Sequence, residues 1–279
     1  MKRDVLKRIP LRASPFLGWG ERINGVLLGL FLIEAALVWA RLCLAPSLLD
    51  GARWPEGLLV VLAAATTMAS LARRLPAQNV LLASLIIALI AGAAQSLGAL
   101  TGIPFGPYVY TDNIGQMLFP TLPWAVALVW IVAILNSRGV ARLMLRPWRK
   151  TRTYGFWVIG LATVLVVVLD LGLEPFATRV KNYWFWNPTK LPLAWYGAPF
   201  VNFLGWAVVA LLILAFATPS LIDKKKVKHP PDYQPLIIWL LLNLLFATGA
   251  VAHQLWPAAA LTVTASMVVS IFAVRGARW

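Results

Sequence analysis

One stretch decides the fold, and it reads LVVVLDLGLEPFATRVKNYWFWNPTKLPLAWYGAPFVNFLGW at residues 165–206. It begins in one apolar run and enters a second at Ala198, with an aromatic and polar segment between them. Asp170 and Glu174 are four residues apart, so on a helix they share one face. Carboxyl groups at the edge of hydrocarbon are costly and usually mark a site. The stretch therefore predicts a site between two membrane helices.

Aromatic residues crowd the segment that follows these two acids, and they are Tyr183, Trp184, Trp186, Trp195 and Tyr196. Indole ring faces attract cations. Acids beside several such rings indicate a site that handles an apolar substrate through a positively charged intermediate. A belt of interfacial aromatic side chains, with Glu174 as a solvated helix end, is the alternative interpretation.

Composition assigns the class of protein. The 279 residues are 60% hydrophobic and 13% charged, with a mean hydropathy of +0.77, whereas about a quarter of a soluble chain is charged. We therefore predict an all-α, polytopic integral membrane bundle of about eight transmembrane helices, forming a single transmembrane domain over residues 1–279. The predicted spans lie near residues 23–44, 57–71, 80–100, 117–135, 154–173, 198–217, 235–253 and 257–274.

The net charge of +15 comes from lysines and arginines in short loops between the apolar runs. They are concentrated on alternate loops, as the positive-inside rule requires. This predicts both termini in the cytoplasm of a multi-pass protein of the bacterial cytoplasmic membrane, with residues 1–22 as a basic cytoplasmic segment. The run Lys224–Lys226 with Lys228 is typical of contact with anionic membrane lipid. Nucleic acid is not a predicted partner.

Neither a metal nor a cofactor is predicted. The single Cys43 and the two histidines, His229 and His253, are scattered along the chain, so no set of metal ligands exists. No glycine-rich phosphate loop precedes a helix.

The loop at residues 101–116 is the second candidate site, and it contains GIPFGPYVYTD at residues 102–112. Its prolines and glycines exclude a regular helix. Tyr108 and Tyr110 carry a polar tip on an apolar ring, and Asp112 is an acid or a hydrogen-bond partner. The topology places this loop on the same, non-cytoplasmic side as residues 174–197, so the two loops can build one site. An ordinary interfacial turn is the alternative.

Three further polar residues lie within predicted spans. Glu34 must face the bundle because a mid-span carboxyl group exposed to lipid is costly; a functional role and a structural pairing both remain open. Gln95 and Asn202 are weaker candidates, since amide side chains often only link helices.

Three motifs resemble the carotenoid biosynthesis membrane protein family, which includes carotenoid 1,2-hydratases. The motifs are residues 101–111, residues 170–175 with Trp184-x-Trp186, and residues 195–199 leading to 202–206. The resemblance covers about residues 80–215. Three departures are visible. Gln95 stands near a position where the family favours an acid, Glu174 stands where it favours Asp, and residues 114–116 read Ile-Gly-Gln where it favours Leu-Gly-Pro.

The resemblance implies a cofactor-independent hydration of the terminal C1–C2 double bond of an acyclic carotenoid. Protonation generates a tertiary cation, which water captures. On this reading Asp170 and Glu174 are the acid and the water-orienting base, in either order, and Asp112, Tyr108 and Tyr110 order the water. The predicted substrate-binding set, from the resemblance and from the buried polar residues together, is Phe105, Tyr108, Tyr110, Trp184, Trp186, Trp195, Tyr196, Asn202, Glu34 and Gln95.

Other functions remain open at this stage. One is a non-catalytic carotenoid-binding membrane subunit. Another is a proton-coupled transporter that uses Glu34 and Asp170 as relays. The resemblance implies a carotenoid as the partner molecule, together with association with other enzymes of the carotenoid pathway.

Overall fold

The computed structural model describes residues 15–44, 54–188, 193–222 and 230–279. Most of the predicted basic segment 1–22, and the basic run at 224–228, lie outside the described residues, so the statements about them stay predictions.

Eight helices in the described residues are long and apolar enough to cross a membrane. The prediction of an all-helical membrane bundle is confirmed. The helices are α1 (Pro15–Leu44), α2 (Trp54–Ala72), α3 (Ala77–Thr101), α4 (Trp124–Met144), α5 (Tyr154–Pro175), α6 (Phe200–Ala217), α7 (Gln234–Ala252) and α8 (Trp256–Ala277).

The fourth span differs from its prediction of residues 117–135, because α4 begins at Trp124. Residues 117–123 form two short antiparallel strands instead, β2 (Met117–Phe119) and β3 (Leu122–Pro123). Two prolines in this segment, Pro120 and Pro123, lack the N–H that a helix interior requires. At its other end α4 continues through Asn136 and Arg138, whose side chains donate to Thr67 Oγ1 and to the Leu221 carbonyl at 2.9 and 3.0 Å.

Short strands lie in the connections α3–α4 and α5–α6, at the same end of the bundle, which we call the strand end. Strand β1 (Tyr108–Tyr110) pairs with β4 (Trp184–Trp186) in antiparallel register. Strand β5 (Ala194–Trp195) pairs with β6 (Ala198–Pro199). The predicted meeting of the two loops is therefore confirmed. Helix α5 also continues beyond Pro175 into a π-helical turn, Phe176–Val180, which leads the chain toward β4.

The β1–β4 ribbon is held to the bundle by Phe105, which is buried between α3 and α6. A Cβ atom added at Gly98 of α3 would lie 2.7 Å from the Phe105 ring. One added at Gly205 of α6 would lie 2.9 Å from the same ring and 2.8 Å from the Pro104 carbonyl oxygen. The two glycines therefore permit the close approach that fixes the ribbon over the bundle.

We expect Gly205→Ala to lower the free energy of unfolding by about 1–3 kcal/mol, because its methyl group would meet backbone that cannot move aside. Denaturant titration of the protein in detergent micelles measures the change. Gly160→Ala is the matched control, since the space around Gly160 of α5 is open. Equal stability of the two variants would contradict this account of α6 packing.

Candidate active site

A cavity of about 700 Å³ lies within the bundle at the strand end, a volume typical of small-molecule sites. Its lining is mostly apolar, with a few polar groups. Eight of the residues predicted for the site line it, and these are Phe105, Tyr108, Tyr110, Gln95, Glu174, Trp184, Trp186 and Asn202.

Asn202 joins the two carboxyl groups of α5. Its Nδ2 atom donates to Asp170 Oδ2 at 3.0 Å and to Glu174 Oε1 at 3.1 Å. All three side chains are buried. The spacing of four residues places both acids on the face of α5 that meets α6, as the sequence predicts. Only Glu174 borders the cavity; Asp170 lies outside its lining.

The second oxygen of Glu174 accepts two further hydrogen bonds. The donors are Nε1 of Trp184 at 3.2 Å and Nε1 of Trp186 at 2.9 Å. Residues two apart on a strand point to the same side, so β4 directs both indoles at one acid. Glu174 therefore receives three N–H donors. Asp170 receives one, and its Oδ1 atom has no partner among the described residues.

Two tyrosines of β1 form the next layer. The hydroxyl groups of Tyr108 and Tyr110 donate to Gln95 Oε1 at 2.8 and 3.1 Å. The Tyr108 ring lies 5.3 Å from that of Trp186, and the Tyr110 ring lies 6.3 Å from that of Trp184. Burial raises the pKa of Tyr108 to about 12 and also raises the pKa of Tyr110. Both phenols are therefore neutral near pH 7.

The raised pKa of Tyr108 predicts an alkaline loss of stability. An unfolded tyrosine ionises near pH 10, whereas folded Tyr108 keeps its proton to about pH 12. The contribution of Tyr108 to stability is therefore intact below pH 10 and falls by about 2 kcal/mol as the pH rises to 12. Unfolding titrations at pH 9–12 measure this fall. Tyr108→Phe should reduce the fall by that amount, while Tyr110, whose pKa is also raised by burial, keeps its own contribution. Tyr233→Phe is the matched control, because Tyr233 is exposed; equal slopes in the two variants would contradict the assignment.

A stacked pair of indoles also lines the cavity, and it was not predicted. The rings of Trp130 on α4 and Trp206 on α6 are 4.0 Å apart and 14° from parallel. Trp206 follows Asn202 by one helical turn, and that spacing is a sequence signal that could have found it. Trp130 lies within an apolar run and carries no comparable signal.

Glu56 is a further cavity residue that the prediction missed. It lies in the first turn of α2, pairs closely with Lys181, and lies 3.7 Å from Arg41. An acid in the first turn of a helix is an ordinary feature, so its sequence position gives no indication of a site.

Besides Asp170, four predicted site residues lie outside the cavity lining. Asp112 is exposed in a short 3₁₀ turn. Trp195 donates to the Leu171 carbonyl at 2.9 Å, and Tyr196 occupies the β5–β6 turn with a φ of 51°. Glu34 is buried on α1 with one carboxyl oxygen unpartnered among the described residues.

The fold and the site together define a polytopic membrane protein with a buried side-chain acid beside an apolar cavity. The chain belongs to the family of carotenoid biosynthesis proteins, whose sequence profile matches residues 56–269. It is therefore a multi-pass membrane protein of carotenoid biosynthesis.

A curated relative is the bisanhydrobacterioruberin hydratase of Haloarcula japonica, which is 29% identical over 138 residues. The match covers 48% of this chain and 44% of the relative, so the chain spans less than half of that protein's length. No solved structure matches the chain.

Proposed function

We propose that the protein is a carotenoid hydratase that adds water across the terminal C1–C2 double bond of an acyclic carotenoid. The family and the name of the relative support this reaction class. The observation that carries the proposal is the position of Glu174, a buried acid on the wall of an apolar cavity with three N–H donors directed at it.

The first step is protonation of the alkene by Glu174. Its carboxyl proton goes to C2, the π electrons form the new C–H bond, and a tertiary cation remains at C1. Negative charge develops on Glu174 at the same time. Trp184, Trp186 and Asn202 already donate to that carboxyl group, so the charge is stabilised without reorganisation of the site.

In the second step water adds through its oxygen to C1 and returns a proton to the Glu174 carboxylate. The product is a tertiary alcohol and the acid is regenerated, so atoms and electrons balance without a co-reactant. Gln95 and the two tyrosines are suited to hold this water. The Gln95 Oε1 atom is fixed by the two hydroxyl groups, while its amide N–H₂ makes no hydrogen bond within the described residues.

Asp170 acts through Asn202 in this proposal. It is fully buried and lies outside the cavity lining, so it serves to position the amide that donates to Glu174. The sequence left the order of the two acids open; the location of Glu174 on the cavity wall supports Glu174 as the proton donor.

The Trp130–Trp206 stack supplies aromatic surface for the cation. A desolvated cation over an indole face gains about 0.5–2 kcal/mol. Trp206 is one turn from Asn202 on α6, which puts this surface on the same helix face as the acid's partner. Trp184 and Trp186, by contrast, use their N–H groups on Glu174.

Hydration in oxygen-18 water tests the function. Proteoliposomes that contain an acyclic carotenoid should yield a tertiary alcohol that carries the label, while protein-free liposomes should not. Bound but unaltered pigment would instead indicate a non-catalytic binding subunit. Flux that depends on a proton gradient would indicate a transporter.

We also propose that the strand end faces away from the cytoplasm. The opposite end carries the arginines of the connections α2–α3 and α4–α5, which supports this orientation under the positive-inside rule. In a Cys43→Ser background, a membrane-impermeant thiol reagent added outside intact cells should label a cysteine placed at Asp112 and not one placed at Arg149. The reverse pattern would contradict the orientation.

A further inference from the structure

The cavity wall reaches the outer surface of the bundle along one side. Leu58 and Val61 of α2 line the cavity and are nevertheless 38% and 39% exposed. Trp124, Ala125 and Val126 of α4 also line it and are half-buried. These side chains therefore belong both to the cavity wall and to the exposed surface of a membrane-spanning helix, on the side where α2 packs beside α4.

The other sides of the cavity are less suited to the entry of an apolar molecule. Toward the centre of the bundle the cavity is closed by buried aromatic side chains, which are Trp130, Phe176, Trp206 and Phe246. At the strand end its rim includes Glu56, which pairs with Lys181, and the exposed polar residues Asn113 and Gln116. An apolar chain that crossed this rim would displace water from charged and polar groups, which is costly.

We propose that the cavity opens to the bilayer between α2 and α4, and that a polyene enters end group first through this lateral portal. This inference rests on the proposed function and adds the path of the substrate. Transfer from hydrocarbon into an apolar cavity requires no contact with water. The part of the polyene beyond its end group then remains in lipid, beside Leu58 and Val61.

The edge of the portal depends on a close contact between the two helices. A Cβ atom added at Gly57 would lie 3.4 Å from the indole of Trp124. The first turn of α2 thus rests against this ring, and Leu58 and Val61 follow within the next turn on the side that faces lipid. A bulky group at either position would stand in the opening without entering the carboxyl site.

A reversible block of the portal tests the proposal. In a Cys43→Ser background, which removes the single native cysteine, Val61→Cys is labelled with a bulky apolar methanethiosulfonate. Labelling should abolish most binding of an acyclic carotenoid, measured by its visible absorbance per protein in proteoliposomes, and reduction should restore it. Leu85→Cys is the matched control, because Leu85 on α3 is 55% exposed and lies outside the cavity lining.

The possible results distinguish a failure of the portal proposal from a failure of the proposed hydratase function. Recovery after reduction shows that the Val61 variant is folded; if that variant does not accumulate, Leu58→Cys replaces it. Unchanged pigment binding after complete labelling at residue 61 would overturn the portal while leaving hydration intact. Failure of the unlabelled protein both to bind and to hydrate the carotenoid would overturn the proposed function itself.

Discussion

Glu174→Gln is expected to lower the rate constant of hydration by about 10³-fold, within the range lost when a general acid is removed. Glutamine keeps the shape of the side chain and can still accept hydrogen bonds from Trp184 and Trp186. It has no acidic proton to give to the alkene. Pigment binding should therefore persist while label from oxygen-18 water no longer enters the product.

Glu21→Gln is the matched control for this variant, because Glu21 is an exposed acid at the far end of the bundle that pairs with Arg73. Its hydration rate should equal that of the unmodified protein. Asp170→Asn should lose less activity than Glu174→Gln, since an amide oxygen at this position can still accept the hydrogen bond from Asn202. A larger loss at Asp170 would assign the proton donor to Asp170 instead.

The helical architecture was predictable because a bilayer leaves few alternatives. A backbone that spans hydrocarbon must satisfy its own hydrogen bonds, so each long apolar run becomes a helix. The fourth span shows where this reasoning stops. Residues 117–119 are as apolar as a helix, but hydropathy does not register that they pair with residues 122–123. Pro120 and Pro123 carry that information, because neither has the N–H that a helix interior requires.

The sequence predicted most residues of the candidate site, but it did not predict how they are arranged around the cavity. Helical spacing puts Asp170 and Glu174 on one face, and alternation along β4 puts Trp184 and Trp186 on one side. Nothing in either pattern tells which acid borders the cavity, because that depends on the packing of α5 against α6. The contact of the indole N–H groups with Glu174 depends on the π-helical turn, which brings β4 back over the end of α5.

Asp112 and Glu56 show that sequence position does not determine whether a side chain lines the cavity. Asp112 belongs to a loop that does meet the aromatic segment, yet its own side chain is exposed while the tyrosines of β1 line the cavity. Glu56 precedes an ordinary apolar run and still lines the cavity. Proximity in sequence to a site motif is therefore a weaker guide than the direction in which the local backbone points a side chain.

The paired substitution Trp184→Phe with Trp186→Phe is expected to lower the hydration rate by about 10²-fold, and each single change by about tenfold, since one hydrogen bond to a charged group contributes at least about 1.5 kcal/mol. Phenylalanine keeps an aromatic ring in each place and removes the N–H that binds Glu174 Oε2. The carboxylate formed during protonation would then keep Asn202 as its single described donor. Single-turnover rates in oxygen-18 water measure the loss.

The decisive comparison repeats these changes in the Glu174→Gln background. If the two indoles act through the charge on Glu174, they should cause no further loss there, because the effects of groups that share one interaction are not additive. Trp157→Phe is the matched control: this indole is 63% exposed, and its N–H donates to Thr153, the residue just before α5. Equal losses in both backgrounds would mean that Trp184 and Trp186 only shape the cavity, and that the negative charge is stabilised elsewhere.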